Sequence, residues 1–403
     1  MTELQWPLGV PGKRAGVRPL GPLFFGLVPS TPGGWYELFA CFPDLEYISH
    51  FHGREVLLAN REIHFFVLQR ARPLIDGAAS MELYTDLQDI RVPFPQAHVT
   101  IGNFDGVHLG HQKLFDQVVA RARQDRGTSI AITFDPHPLK VLNPQSIRLI
   151  STTPQKIELI ERAGIDVLVI IPFNREVAVT TAVDFVDQVL LDRIGMRDLV
   201  VGYDYALGKG RQGDTAFLQR QGEDKGFSVM VMPAYYEQGQ LVSSTRIREL
   251  VAAGKMRDVR RLLGRFYQIR GDVQLGRQRG GKLLGFPTAN LSLSEEDLCP
   301  KRGVYVTQVI YDGKQYGGVA NIGYNPTFGD TGLVAETHIF DFNTDIYGKA
   351  LKINLLWHLR GEIAFSGPEA LAVQIRKDIE VAHKVLAQER QKKLIAYHRD
   401  LQA

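Results

Sequence analysis

The chain reads Gly102-Asn103-Phe104-Asp105-Gly106-Val107-His108-Leu109-Gly110-His111 where a β-rich run, His98–Phe104, gives way to a helical run, Lys113–Arg123. The first turn of a helix presents unpaired N–H groups and the positive end of the helix dipole, so it favours phosphate. Gly110 lets the backbone approach a ligand, and the two histidines, three residues apart, point to one side of the helix. The stretch predicts a phosphate site. A helix-capping turn with incidental histidines and a metal-binding pair are the alternatives for this pattern alone.

Strand and helix signals alternate along the chain on the C-terminal side of this stretch. The β-rich runs lie at His98–Phe104, Ser129–Phe134, Asp166–Ile171, Asp198–Gly202 and Phe227–Met232. The helical runs lie at Lys113–Arg123, Thr153–Ala163 and Ala182–Arg193. This alternation is typical of an α/β domain with a parallel sheet.

The pattern changes after Gly264. The later β-rich runs are Tyr267–Leu275, Val304–Tyr311, Tyr316–Ile322, Thr337–Phe342 and Leu351–Leu356. Their Gly-rich turns predict a small antiparallel β-barrel. The tail from Pro368 predicts a long amphipathic helix with one apolar face, formed by Leu371, Ile375, Ile379 and Ala382.

The first 80 residues are rich in Pro and Gly near their start and show no sustained period. We expect this region to be poorly ordered. Our hypothesis is that Met81, which shortly precedes the first clear strand signal, is the native start and that the upstream residues are translated in error. The predicted domains are therefore 1–80, an N-terminal extension; 81–265, the α/β domain; and 266–403, the barrel and its helix.

Composition sets limits on the functions that the chain can have. Its 403 residues suit two domains, and its net charge of +3, with the basic residues scattered, does not suggest nucleic-acid binding. No run of about 18 apolar residues is present, so we expect no membrane span. The two cysteines, Cys41 and Cys299, lie far apart without metal-ligand spacing, which favours a reducing cytoplasm over a disulfide scaffold.

Three further polar motifs follow the predicted strands of the α/β domain. They are Phe134-Asp135-Pro136-His137-Pro138, then Val201-Gly202-Tyr203-Asp204-Tyr205-Ala206-Leu207-Gly208 with Arg211 and Gly213, then Ser243-Ser244-Thr245-Arg246-Ile247-Arg248. Each alone is consistent with a turn, a loop or a helix N-cap. The third also suits the β- and γ-phosphates of ATP, because hydroxyls at a helix N-terminus are followed one turn later by an arginine.

Together, in this order and spacing, the motifs resemble the HxGH nucleotidyltransferase superfamily, and in particular the FMN adenylyltransferase module of prokaryotic FAD synthetases. The resemblance implies a Rossmann-like nucleotidyltransferase domain in which His108 and His111 steady the α-phosphate of ATP. It implies that Ser244, Thr245 and Arg248 hold the leaving pyrophosphate. It also implies ATP or FMN contacts at Gly102, Asn103, Phe104, Asp105, Gly110, Asp135, Asp204 and Arg211.

A second glycine-dense stretch begins at Gly271 and ends in Gly285-Phe286-Pro287-Thr288-Ala289-Asn290. Glycines at this density let backbone amides approach a polyphosphate, and hydroxyl and amide oxygens suit Mg²⁺. A turn-rich hairpin in a small barrel is the alternative. The string resembles the riboflavin kinase signature, which implies ATP and riboflavin contacts at Gly281, Gly285, Pro287, Thr288 and Asn290, with Mg²⁺ held by Thr288 and Asn290.

Further matches to riboflavin kinases follow in order. They are Gly303-Val304-Tyr305, Gly318-Val319-Ala320-Asn321-Ile322-Gly323, Asn325-Pro326-Thr327-Phe328 and Glu336-Thr337-His338-Ile339-Phe340-Asp341-Phe342. Phosphorylating an alcohol requires removal of its proton, and a positioned carboxylate is the usual base. The resemblance assigns that role to Glu336, although an arbitrary glutamate at a strand end is more often merely solvated.

The resemblance spans roughly residues 97–395 and implies a bifunctional enzyme that phosphorylates riboflavin to FMN and adenylylates FMN to FAD, each with ATP. The expected partners are therefore ATP, riboflavin and FMN, with Mg²⁺ as cofactor; the oligomeric state is left open. Three alternatives remain at this point: an enzyme that keeps only the adenylylation step, a different HxGH enzyme such as a relative of class I aminoacyl-tRNA synthetases, and a non-catalytic flavin-binding protein.

Overall fold

A computed structural model describes the backbone of four short strands before residue 59 and most of the chain from Ser80 onward. The described ranges are 26–30, 34–38, 47–51, 54–58, 80–144, 147–275, 285–294, 296–324 and 332–402, with side chains of the last helix described to residue 392. The chain divides into two compact units, Met1–Ala79 and Ser80–Ala403.

The first unit contains two antiparallel hairpins. Strand β1 (Gly26–Ser30) pairs with β2 (Gly34–Leu38), and β3 (Tyr47–Phe51) pairs with β4 (Arg54–Leu58). The sequence analysis anticipated no strands here. The hypothesis that residues 1–80 are an N-terminal extension translated in error stays a prediction.

The second unit begins with a six-stranded parallel sheet, as the sequence predicted. Its strands are β5 (Glu82–Tyr84), β6 (Ala97–Ile101), β7 (Thr128–Asp135), β8 (Val167–Pro172), β9 (Met196–Gly202) and β10 (Ser228–Met232). They are ordered β10-β9-β6-β7-β8-β5, and every neighbouring pair is parallel. All five residues of β6 are buried, because helices cover both faces of such a sheet. The short edge strand β5 was not predicted.

The predicted helical runs Lys113–Arg123 and Thr153–Ala163 correspond to two of the eight helices described in this part. The eight helices are α1 (Leu109–Gln124), α2 (Pro138–Leu142), α3 (Thr153–Arg162), α4 (Arg175–Val179), α5 (Ala182–Asp184), α6 (Thr215–Lys225), α7 (Ser244–Ala252) and α8 (Met256–Leu263). The predicted helix Ala182–Arg193 is α-helical only for its first three residues and continues as a π-helix, Phe185–Arg193. Helix α1 buries Phe115, Val118 and Val119 against the sheet.

A second, antiparallel sheet of six strands follows. It contains β13 (Tyr267–Asp272), β14 (Ala289–Ser292), β15 (Gly303–Tyr311), β16 (Lys314–Tyr324), β17 (Leu333–Ile339) and β18 (Ala350–Arg360), after a small hairpin of β11 (Tyr236–Glu237) and β12 (Gln240–Leu241). The order is β13-β18-β15-β16-β17-β14, and a bridge between Gln274 and Asn290 brings the two edges together into a nearly closed barrel. Strand β14 was missed, and β17 begins four residues before its predicted start.

The last helix, α9 (Pro368–Gln402), packs on the outside of this barrel. Its Ala382 is buried in a cluster with Val306 and Phe340, and Ile379 packs against the same cluster. Two residues of the amphipathic face predicted for the tail, Ile379 and Ala382, therefore pack on the barrel.

Main-chain and side-chain bonds join the barrel to the α/β part within the second unit. The amide of Leu149 donates to Glu296 O at 2.8 Å, and the amide of Leu298 donates to Leu149 O at 2.8 Å. Glu158 on α3 accepts from Arg270 at 2.5 Å and from Lys352 at 3.2 Å. The two parts thus share a bonded interface.

Candidate active sites

The HxGH turn, residues 102–108, connects the carboxyl end of β6 to α1. Its backbone is strained. Phe104, Gly106 and Val107 have φ of 47°, 79° and 38°. Positive φ suits glycine, whereas a β-branched residue there costs about 1–3 kcal/mol and persists only where its surroundings fix it. His108 follows as the N-cap of α1, and its Nδ1 accepts from the amide of His111 at 3.3 Å.

Asp105 anchors the turn. Its buried carboxylate accepts from the amide of Ile150 at 3.0 Å, from the amide of Ser151 at 3.1 Å and from Arg248 Nη2 at 2.5 Å. The carbonyl of Asp105 accepts from the hydroxyl of Ser244 at 3.0 Å. The start of α7 therefore lies against the HxGH turn, so three residues predicted for one site, Asp105, Ser244 and Arg248, are in contact.

The remaining groups at the start of α7 occupy distinct places. Ser243 caps the helix by accepting from the amide of Arg246 at 3.2 Å, which leaves Ser244 for the turn and Thr245 exposed on the first helical turn. Arg248 also donates from Nε to Arg148 O at 2.9 Å.

The two histidine rings of the motif stack on each other. Their centroids are 3.6 Å apart with an interplanar angle of 18°, and Phe104 meets His111 edge-on at 5.3 Å. Among the described residues, no group bonds to the enclosed Nδ1 of His111. A Cβ at Gly110 would lie 3.2 Å from Nδ1 of His108, so glycine leaves room for this ring.

Burial keeps both histidines neutral near neutral pH. Desolvation, followed by the nearby charge of Arg265, lowers the pKa of His108 to about 4. Desolvation, followed by His108, lowers the pKa of His111 well below its usual value. Because His108 accepts at Nδ1, its single proton resides on Nε2.

The carboxyl ends of the neighbouring strands carry the other predicted residues. Asp135 ends β7 and accepts from the hydroxyl of Thr153 at 3.1 Å, while Gly102 directly follows β6. In the loop after β9, Arg211 donates to Asp204 O at 2.8 Å, and both residues are exposed. The residues follow adjacent strands, the usual ligand edge of a parallel sheet.

Sequence reasoning missed Lys156, which lies beneath this edge. Its buried Nζ is 3.1 Å from Phe134 O, 3.2 Å from Thr133 Oγ1 and 3.5 Å from Asn103 O, and burial lowers its pKa. A detectable signal existed, because Lys156 lies one helical turn before Ile160, a fully buried residue of the same helix. A lysine on an apolar stripe indicates a charge held inside the fold.

In the barrel, the second site is built by strand register. Asn290 of β14 faces Glu336 of β17, which faces Asn321 of β16. Directly paired residues project from the same face of a sheet, with Cβ atoms about 4.5–5.5 Å apart. Asn290 is buried and donates from Nδ2 to Thr288 O at 3.4 Å. Asn290 and Glu336 therefore share one face of the barrel, with Thr288 beside Asn290, and these three positions make up what we call the barrel rim.

The structure describes some of the other residues predicted for the kinase site and not others. Gly285 has φ of 76°, and Pro287 O lies 2.9 Å from Nδ1 of His338. Gly281 and the stretch Asn325–Phe328 lie outside the described residues.

The oxygen donors at this rim fit a hard divalent cation. Hydroxyl and amide oxygens, with a carboxylate in the adjacent register, are the ligands that Mg²⁺ takes alongside water and substrate phosphates. In the parts of the chain that the structure describes, no group of three or more His, Cys, Asp or Glu residues is arranged to hold a metal ion. A cation at this rim would therefore also need ligands from water and substrate phosphates.

The second unit combines a parallel α/β part with a nearly closed antiparallel barrel, the fold class expected for a nucleotidyltransferase joined to a kinase. A family of FAD synthetases matches residues 93–246, and the riboflavin kinase family matches residues 263–386. The chain belongs to the bifunctional riboflavin kinase/FMN adenylyltransferase family. The predicted family, fold class and pair of activities are therefore confirmed, with the adenylyltransferase in the N-terminal and the kinase in the C-terminal part.

Individual relatives agree with this assignment. The chain is 36% identical over 314 residues to the bifunctional riboflavin kinase/FMN adenylyltransferase of Pseudomonas fluorescens, covering 76% of this chain and 98% of that protein. It is 33% identical over 282 residues to the protein of the same name from Escherichia coli K12, covering 70% and 90%. A crystal structure titled as a macrolide-efflux protein from Streptococcus pneumoniae superposes with a TM-score of 0.68 at 30% identity, covering 76% and 99%. None of the described helices has the length and apolar composition needed to cross a membrane.

Proposed function

We propose that the chain converts riboflavin to FMN at the barrel rim and FMN to FAD at the HxGH turn, using one ATP at each site. The pair of neutral imidazoles at the start of α1 carries the proposal for the second reaction, because a helix N-terminus favours phosphate. The nearby cations Lys156 and Arg265 support an anionic ligand, and Arg248 is paired with Asp105.

In the adenylyl step, a phosphate oxygen of FMN attacks the α-phosphorus of ATP in line, and the bond to pyrophosphate breaks. The Nε2–H of His108 donates to an α-phosphate oxygen as charge builds, and His111 supports the same group. Ser244, Thr245 and Arg248 bind the departing pyrophosphate at the start of α7.

The remaining predicted residues of the N-terminal site bind the two substrates. Gly102, Asn103 and Asp135 lie at the ends of the two central strands, where the nucleotide binds to the sheet edge, and Phe104, whose ring is buried, contributes through its backbone. Asp204 and Arg211 lie in the exposed loop after β9 and contact the outer part of a substrate.

In the kinase step, Glu336 accepts the proton of the ribityl 5′-hydroxyl while that oxygen attacks the γ-phosphorus and ADP leaves. Thr288 and Asn290 would hold Mg²⁺, which would neutralise charge on the ATP phosphates. Gly281, Gly285 and Pro287 contribute to the ATP and riboflavin pocket. Both reactions take place in the cytoplasm, in keeping with the two widely separated cysteines.

Time-resolved chromatography of flavins tests the scheme. The full-length protein with riboflavin, ATP and Mg²⁺ should form FMN and then FAD. Glu336→Gln should lower the rate of FMN formation about 10²–10⁴-fold and leave FAD formation from supplied FMN intact. His111→Asn should lower the rate of FAD formation about 10²–10³-fold, so that FMN accumulates.

Matched controls use exposed residues of the same types on α9. Glu369→Gln and His383→Asn should leave both rates unchanged. Kinase activity retained in Glu336→Gln would remove this residue from the base role, and rapid FAD formation by His111→Asn would reject the phosphate site. Protein that starts at Met81 should show both activities if residues 1–80 are dispensable.

A further inference from the structure

One residue in the segment matched by the riboflavin kinase family contacts the other active site. Arg265 lies in the connection between α8 and β13, inside the matched range 263–386. Its guanidinium donates from Nη2 to Gly106 O at 2.7 Å and from Nη1 to Val107 O at 3.2 Å. Both carbonyls belong to the HxGH turn of the adenylyltransferase part.

A second side chain ties the same connection to the same turn. Gln112 of α1 donates from Nε2 to Val107 O at 2.9 Å and to Leu263 O at 3.0 Å. Arg265 also lies within 3.4 Å of Leu263 O, so the carbonyls of Val107 and Leu263 are shared by both side chains. At Gly264, with φ of +70°, a Cβ would lie 2.7 Å from Leu109 Cδ2. The connection is therefore packed closely against the start of α1.

These bonds act on the strained part of the turn. The carbonyl of Asp105 accepts from Ser244, that of Gly106 from Arg265, and that of Val107 from Arg265 and Gln112. Three successive peptide planes are thus fixed immediately before His108. The positive φ of Val107 persists only where several contacts fix the backbone, because a β-branched residue otherwise adopts a negative φ.

The charge of Arg265 acts at the same place. Its hydrogen-bond acceptors here are main-chain carbonyls, and burial lowers its pKa to about 10, which leaves it a cation at neutral pH. Arg265 also lowers the pKa of His108 and, after burial and His108, that of His111. A partly buried cation beside two neutral imidazoles favours an anionic ligand at the turn.

We infer that Arg265 is a positioning residue for adenylyl transfer, supplied to the N-terminal site by the connection to the kinase domain. The inference rests on the proposed role of the HxGH turn. Adenylyl transfer would then depend on a residue that lies in the segment matched by the riboflavin kinase family.

The test compares both reactions in the full-length chain. Arg265→Met should lower kcat for FAD formation from FMN about 10²-fold, because misplacing a reacting group by about 1 Å costs that much. The KM for ATP should change less than kcat, and the kinase rate should stay within about twofold of the wild-type rate, which also shows that the variant is folded. Arg265→Lys keeps the charge but not the two-pronged geometry, so its loss should be roughly tenfold.

Arg261→Met provides the matched control, since Arg261 lies on α8 with a side chain that is 39% exposed and paired with Asp258. NMR titration of His108 supplies a second readout, and Arg265→Lys, which keeps the charge, separates loss of the charge from loss of packing. The pKa of His108, about 4 in the wild type, should rise in Arg265→Met and stay unchanged in Arg261→Met.

Three outcomes would overturn the inference: an adenylyl-transfer kcat within about twofold of wild type in Arg265→Met, an equal loss of kinase activity, or an unshifted His108 pKa. Failure of the proposed function has a different signature. In that case His111→Asn makes FAD as fast as the wild type, whereas failure of this inference alone leaves His111→Asn impaired and Arg265→Met active.

Discussion

The two sites proposed to bind ATP differ in the groups that they offer to phosphate. Around the HxGH turn, Lys156 and Arg265 lie near a pair of neutral imidazoles, and Arg248 is paired with Asp105. At the barrel rim, the described groups of the proposed site are the oxygens of Thr288, Asn290 and Glu336. In the proposed scheme, ATP therefore meets protein cations at the first site and oxygen ligands, acting through Mg²⁺, at the second. The difference indicates where each site should be vulnerable.

The sites also differ in how their geometry is held. The HxGH turn is fixed by side chains from α1, α7 and the connection to the barrel. The row of Asn290, Glu336 and Asn321 follows from the pairing of adjacent strands. Distant substitutions should therefore impair adenylyl transfer more readily than phosphorylation.

The sharpest test of this comparison uses two buried aspartates of the α/β part that each pair with an arginine, Asp105 in the HxGH turn and Asp198 in β9. Asp105→Asn places an amide donor against Arg248 and the amides of Ile150 and Ser151, and should lower kcat for FAD formation about 10²-fold. It should also destabilise the fold by about 3–5 kcal/mol, since one partner of a buried ion pair is lost. Kinase kcat should not change. Rate assays of both reactions and denaturant unfolding check these values.

Asp198→Asn is the control for stability. Asp198 is equally buried and pairs with Arg121 at 2.5 Å, near the amino end of β9 and away from the ligand edge. We expect a comparable loss of stability with an unchanged adenylyl kcat. Equal loss of kcat in the two variants would mean that the turn responds to general destabilisation and that Asp105 has no special place in it.

A smaller effect should separate the metal dependence of the two sites. Asn290→Ala removes an oxygen ligand, so the Mg²⁺ concentration for half-maximal kinase rate should rise roughly tenfold. The Mg²⁺ dependence of FAD formation from FMN should not move, because that site is formed by a different domain. Titration of Mg²⁺ at saturating ATP measures both. A parallel shift in both reactions would show that the effect arises in solution, through MgATP, and would contradict a protein ligand at Asn290.

Short-range patterns account for what the sequence predicted. The HxGH stretch and the Pro287–Asn290 string are contiguous, and their glycines, hydroxyls and histidines report local backbone geometry. Alternating strand and helix signals likewise gave the parallel sheet, because buried strands and amphipathic helices have different periods. Short edge elements such as β5 and β14 carry too few residues for a period to be visible.

Long-range partners account for what the sequence did not predict. Asp105 was expected to contact substrate, and its observed partners, Ile150 and Arg248, lie 45 and 143 residues away. Lys156 and Arg265 belong to no local motif, since each reaches the site through tertiary packing. A charged residue on a helical apolar stripe signals Lys156, whereas nothing in the order of residues signals Arg265.

The smallest expected effect is a proton linkage confined to the HxGH site. Burial and Arg265 hold the pKa of His108 at about 4, and the anionic phosphates of ATP oppose both influences, so ATP should raise this pKa. Bound enzyme then holds more protons than free enzyme at pH values just above 4, so ATP binding takes up protons and strengthens as pH falls toward about 4. In the absence of ATP the sign for stability is opposite. The unfolded chain, with a histidine pKa near 6.5, binds more protons there than the folded chain, and stability falls as pH falls.

Calorimetry of ATP binding near pH 5, in two buffers of different ionisation enthalpy, measures this uptake. His108→Asn should reduce the uptake, and His383→Asn should not, because His383 lies on α9 and stacks on Phe340 of the barrel. Asn290→Ala should also leave it unchanged, because the linkage belongs to the cationic site and not to the oxygen-lined one. Uptake of the same size in His108→Asn would show that ATP does not bind against this imidazole, and would remove the electrostatic contrast between the two sites on which the comparison depends.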